Sequence, residues 1–231
     1  MKNTGSVAVS INDNPVYACP SYPPFVKRIL FDNGWYKTLL RDNVDLVTEN
    51  LSKITKDSVI TADGKTYQVD VILYATGFNA VRFLSTFELV GLNGLNIRKL
   101  WGDDNAKAYL GTVVPGFPNF FCLYGPNLQA GHGGSFMTTA TAQVNYIMSL
   151  LEQMFRQGIS VIDCKKEVCE DYNMRVDEAN ASRIWTHKGA NNYYRNAQGR
   201  VVVNRAFKNL DYWHWTRSAK LSEYHILSEE N

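Results

Sequence analysis

Two apolar runs interrupt an otherwise mixed chain: Val71-Ile72-Leu73-Tyr74 and Phe120-Phe121-Cys122-Leu123-Tyr124. Runs without polar alternation predict strands buried on both faces, as in a parallel sheet. Each run ends at a glycine, the first in Ala75-Thr76-Gly77 and the second in Gly125-Pro126-Asn127. Upstream, Ser58 to Thr61 and Lys65 to Val69 flank Ala62-Asp63-Gly64. Asp-Gly between two such segments predicts a hairpin within a β-meander. Val44 to Val47 reads as a short strand, and Trp35 to Arg41 as one or two helical turns.

Periodicity changes after the second run. Phe136, Ala140, Val144, Ile147, Leu151 and Met154 recur at helical spacing. Ser135 is placed to cap the start of that helix and Gly158 to end it. A second helix is expected from Lys166 to about Ser182, with Val168, Tyr172, Val176 and Ala179 on one face. From Trp185 onward the chain is aromatic-rich with weak periodicity. Residues 1–15 are small and polar and are expected to be disordered.

Composition narrows the functional classes. The 231 residues are 45% hydrophobic and 20% charged, which is ordinary for a globular protein. A net charge of +2 gives no electrostatic case for nucleic acid. Cys19, Cys122, Cys164 and Cys169 form no C-x-x-C pair, and no histidine stands at zinc-finger spacing. No metal site is expected, and the cysteines read as reduced thiols of a cytoplasmic protein. The first residues lack an apolar signal segment, and no apolar run reaches membrane-spanning length, so no membrane association is expected.

Four motifs carry candidate chemistry. A strand running into Ala75-Thr76-Gly77 is either a plain loop exit or a turn whose small backbone lies against a nucleotide cofactor. Gly125 to Ser135 is a Gly-rich loop that opens a helix, a place where unpaired N–H groups suit an anionic group or a reduced flavin. His132 in that loop faces either solvent or a ligand. Lys27-Arg28 is a charge pair beside a proline-rich bend. The one G-x-G, Gly131-His132-Gly133, has Phe136 where a third glycine would stand, so the chain carries no dinucleotide fingerprint.

In order and spacing, several segments resemble one family. They are YPPFVKRILFDNGWY (22–36), RDNVDLV (41–47), DVILYATGF (70–78), GFPNFFCLYGPN (116–127), GHGGS (131–135), GRVVVN (199–204) and DYWHWT (211–216). Together they resemble the C-terminal portion of a Baeyer–Villiger monooxygenase, of the hydroxyacetophenone monooxygenase type. The resemblance runs from about Tyr17 to Tyr224.

It implies an α/β chain, part of a flavoprotein fold with two dinucleotide-binding domains, lacking the first Rossmann βαβ unit. Residues 16–78 would end the NADP-binding domain and form a linker with the meander. Residues 79–158 would belong to the FAD-binding domain, and 159–231 to a helical, aromatic-rich segment on the substrate side. The implied cofactors are FAD and NADP(H). The implied substrate is a ketone, with aryl ketones within range, and a separate chain could carry the FAD and NADP modules.

The resemblance also implies roles. Arg28 matches an arginine beside the flavin that stabilises negative charge on the oxygen attacking the ketone. Lys27 matches a position associated with NADP. Thr76 and Gly77 match the segment linking the two cofactor domains. Gly125, Pro126, Asn127 and Ser135 match the wall beside the flavin ring. Tyr193 stands where many members carry a tryptophan near the nicotinamide ribose. Two alternatives stand beside this reading: a non-catalytic fragment or subunit of a split flavoprotein, and a flavin monooxygenase acting on nitrogen or sulfur.

Overall fold

The computed structural model describes residues 22–131, 133–189 and 191–227. The expected disorder of residues 1–15, Cys19 and the loop residue His132 lie outside them. The chain divides into two compact units. One contains Ile29–Phe78. The other contains Phe25–Arg28, Asn79–Lys188 and, among the described residues, 192–227.

The first unit is built on the meander. Strands β1 (Leu51–Ile54), β2 (Ser58–Thr61) and β3 (Thr66–Gln68) pair antiparallel in that order. Ser58 stands opposite Gln68 and Ile60 opposite Thr66. The Asp63-Gly64 turn takes its expected place, with Gly64 at φ +86°, a conformation that glycine adopts without cost. Helix α1 is a single turn, Trp35–Thr38. The Asp32 carboxylate accepts from the backbone N–H of Gly34 and Trp35 and so holds its start.

Three strand expectations are corrected. Val44 to Val47 is irregular, and so are Val71 to Tyr74 and Phe120 to Tyr124. Leu73 is 89% exposed and Phe78 96% exposed, the reverse of a strand buried on both faces. An apolar run becomes a buried strand only where neighbours pair with it, and residues 71–78 pair with no strand among the described residues. Phe120 to Tyr124 instead follows a turn, tied by the Cys122 N–H to the Thr112 carbonyl at 2.8 Å.

The second unit packs helices around a short sheet. Its core helix is α3 (Phe136–Gln157), capped by Ser135, whose side chain accepts from the Met137 N–H. Gly158 ends it in the left-handed conformation at φ +65°. The buried face is Thr139, Ala142, Gln143, Tyr146, Leu150 and Met154. The face expected from hydropathy is turned by about one residue, some 100° around the axis, and leaves Phe136 and Val144 exposed.

Helix α2 (Ile97–Trp101) and helix α4 (Lys166–Ala181) pack in the same unit. The buried face of α4 includes Asn173 and Asn180 beside Tyr172 and Val176. Strand β4 (Val161–Cys164) pairs antiparallel with β5 (Tyr224–Leu227), and α5 (Asn209–Trp215) lies between them in the chain. The Tyr146 and Tyr224 hydroxyls meet at 2.7 Å and tie α3 to β5 inside the core.

Gln143 is fully buried and makes four hydrogen bonds. Its two Nε2 hydrogens are shared among the carbonyls of Gly111 and Cys122 and Thr112 Oγ1, at 3.2, 3.0 and 2.8 Å. Its Oε1 accepts from the Tyr124 N–H at 2.7 Å. One amide therefore joins two irregular segments to the core helix and fixes Tyr124, whose φ of +53° is unusual for a residue with a Cβ.

Cys122, Cys164 and Cys169 are buried thiols. Burial pushes Cys122 up to about 11 and Cys169 up to about 12, and raises Cys164 as well. The thiolate is the reactive form, and at pH 8 a thiol at about 11 is only roughly one part in a thousand ionised. All three are expected to resist iodoacetamide at pH 8 in the folded chain and to react after denaturation. Mass spectrometry of the alkylated peptides checks this.

Candidate functional site

The segment Phe25–Arg28 belongs to the second unit, where Val26 is fully buried. That anchor sets the neighbouring Arg28 in the wall of an open cavity of about 530 Å³. Facing it are Tyr124, Gln129, Gly134, Ser135, Phe136 and Tyr193. Three expected residues, Arg28, Ser135 and Tyr193, therefore come together in one place. Ser135 sits there because it caps α3, and the helix start supplies N–H groups with partial positive charge.

The cavity is aromatic as well as cationic. The Tyr124 and Phe136 rings meet edge to face with centroids 6.0 Å apart. Tyr193 packs on Tyr194 with centroids 4.5 Å apart, and Tyr194 meets Trp185 edge to face at 6.1 Å. Burial raises the Tyr194 phenol far above its ordinary value, while the charge of Arg28 opposes that shift. A guanidinium at the edge of aromatic walls suits a flat ligand with developing negative charge.

The other expected residues lie elsewhere. Lys27 shares the Phe25–Arg28 segment and is half-buried, but does not line the cavity. Gly125, Pro126 and Asn127 are buried in the framework. A Cβ at Gly125 would stand 2.4 Å from the Gly111 carbonyl oxygen, so glycine permits that close packing. Asn127 Nδ2 donates to the carbonyls of Val201 and Asn204, and its Oδ1 accepts from Arg200. Thr76 and Gly77 are exposed in the first unit, with Gly77 at φ +81°.

Tyr124, Gln129, Ala130, Gly134 and Phe136 also line the cavity and were not singled out from the sequence. Gln129, Ala130 and Gly134 lie within the Gly-rich loop and Tyr124 and Phe136 flank it, so that loop is the signal that points to them. Among the described residues no cluster of histidine, cysteine and carboxylate groups could hold a metal ion, and no helix is long and apolar enough to cross a membrane.

No protein-family model matches the chain. Individual proteins do. An uncharacterised monooxygenase of Sinorhizobium fredii is 41% identical over 210 residues, covering 91% of this chain and 32% of that protein. A Baeyer–Villiger monooxygenase of Streptomyces coelicolor is 29% identical over 209 residues, covering 90% of this chain and 40% of that protein. In fold, the crystal structure of OTEMO in complex with FAD and NADP superposes with a TM-score of 0.79 at 23% identity, over 93% of this chain and 41% of that one. In sequence and in fold the chain is similar to Baeyer–Villiger monooxygenases. It spans about a third to two fifths of the length of these curated monooxygenases, 32% and 40%. Those shares agree with the C-terminal portion that its motifs resemble.

Proposed function

We propose that this chain supplies the Arg28-bearing wall of a Baeyer–Villiger active site, which inserts one oxygen atom of O2 beside a ketone carbonyl to give an ester or lactone. The observation that carries the reading is the meeting of Arg28, Tyr193 and the Ser135-capped start of α3 around one cavity. FAD and NADP(H) are the proposed cofactors, as in the OTEMO complex. The residues present fit one part of FAD. Tyr124, Phe136 and Tyr193 offer aromatic walls to a flat ring, and the α3 start offers positive charge to its anionic edge. The pyrophosphate end has no G-x-G-x-x-G cradle in this chain. Modules elsewhere in the same protein or in a separate chain would hold it.

A bound reduced flavin supplies the activation of O2. The chain's own part is electrostatic. The planar guanidinium of Arg28 lowers the energy of negative charge on the oxygen that attacks the ketone. The aromatic walls orient the substrate and limit water at the reacting atoms. Gln143 holds Tyr124 in this wall through the N–H bond at 2.7 Å.

The test supplies FAD and NADP modules by fusion or co-expression and offers ketone, amine and sulfide substrates in parallel. Ester formation from the ketone, dependent on NADPH and O2, is expected. Oxygenation of the amine or sulfide with the ketone untouched would favour a nitrogen- or sulfur-directed monooxygenase instead.

A further inference from the structure

Behind the Gly-rich loop lies a second cavity, of about 290 Å³, bounded by Gly131, Gly133, Trp185, Arg183, Arg205 and Lys208. Three of its side chains are cationic and none is anionic. Among the described residues none of the three forms an ion pair. Arg183 is oriented at the wall by donating from Nε and Nη2 to the Ala206 carbonyl, at 3.1 and 2.7 Å.

Arg205 is the unusual member. It is only 8% exposed. Its Nη1 donates to Thr139 Oγ1 at 3.2 Å, its Nη2 donates to Asn209 Oδ1, and its guanidinium stands 5.3 Å from the centre of the Tyr212 ring. Every one of these partners is neutral. Burying a charge without a counter-charge is costly, and an anion in the cavity would offset that cost. Burial accordingly lowers the Arg205 pKa, and the groups that oppose this are tyrosines rather than carboxylates.

The packing behind the loop is tight. Asn204 is fully buried, and neither its amide nitrogen nor its amide oxygen is hydrogen-bonded among the described residues. Its Nδ2 lies 3.1 Å from where a Cβ at Gly131 would stand. That same Cβ would come within 2.5 Å of the Trp185 ring. Glycine at 131 therefore permits the loop to pack directly on Trp185 and Asn204.

We propose that this cavity binds an oxyanion group, a carboxylate or phosphate borne by a small organic molecule. Arg205 supplies the fixed charge at the wall, and the exposed Arg183 and Lys208 supply charge around it. The volume far exceeds the roughly 30 Å³ share of one water, so there is room for more than a bare ion. Nothing in this assignment depends on ketone oxygenation.

The experiment titrates the full chain with sodium phosphate and, separately, sodium acetate, against sodium chloride at matched ionic strength. Calorimetry and the thermal unfolding midpoint are read together. Saturable binding of phosphate or acetate is expected, with none for chloride, and the tighter of the two tells a phosphoryl from a carboxylate ligand. Arg205→Gln is expected to weaken that binding by about tenfold or more, because a charge-assisted hydrogen bond is lost. Should Arg205→Gln fail to fold, Arg183→Gln and Lys208→Gln, both at exposed positions, are each expected to weaken it severalfold. Absence of saturable binding, or binding equally tight in every variant that folds, overturns the proposal.

Discussion

Arg28→Ala is expected to lower ketone oxygenation by about 10²–10³-fold, the effect typical of losing one preorganised electrostatic donor, or roughly 2.7–4 kcal/mol. The comparison is made in the protein completed with its FAD and NADP modules. Flavin reduction by NADPH should change far less, because hydride transfer does not place negative charge on the attacking oxygen. Arg28→Lys should rescue poorly, since a flexible ammonium cannot reproduce the planar guanidinium fork. Stopped-flow absorbance of the flavin in both half-reactions, with ester product measured in parallel, separates the two steps. Arg28 is exposed and its anchor is the buried Val26 beside it, so loss of the guanidinium should leave the fold intact.

Gln143→Leu is expected to cause a large loss of stability. Leucine is similar in size but leaves the Tyr124 N–H and three buried acceptors without the partners they now have. Each orphaned buried group costs about 1–3 kcal/mol, so a loss of roughly 3 kcal/mol or more is expected. Val144→Thr, one residue along the same helix but on its exposed face, should stay within about 0.5 kcal/mol. Denaturant midpoints at unchanged slope make the comparison. Because Gln143 also fixes Tyr124, the same variant should weaken substrate binding at the Arg28 cavity.

What the sequence revealed was local chemistry that needs few partners. Ser135 and Gly158 mark the two ends of α3 because a hydroxyl cap and a left-handed glycine act within a single turn. The Asp63-Gly64 turn is legible for the same reason. Burial was harder, because it depends on what packs against a segment. Val71 to Tyr74 is as apolar as a central strand, yet it is irregular and unpaired among the described residues.

The buried face of α3 was misplaced because Thr139 and Gln143 are polar residues satisfied inside the core, which a hydropathy pattern assigns to solvent. Asn173 and Asn180 disguise the buried face of α4 in the same manner. The pairing of β4 with β5 joins segments far apart in the chain, and four-residue strands leave little periodicity to read. At the site, Arg28, Ser135 and Tyr193 were found through family motifs, whereas Tyr124 and Gln129 enter the cavity through the tertiary path of the Gly-rich loop.

One atom of O2 is expected to be inserted beside a ketone carbonyl at the cavity that Arg28 lines. The most direct measurement supplies the completed protein with NADPH, a ketone and ¹⁸O2, and reads the product by mass spectrometry. An ester or lactone carrying one heavy oxygen at the bridging position, formed by the wild type and nearly absent with Arg28→Ala, is the predicted result. Unchanged ketone while NADPH and O2 are consumed, or labelled ester formed equally well by Arg28→Ala, would contradict it.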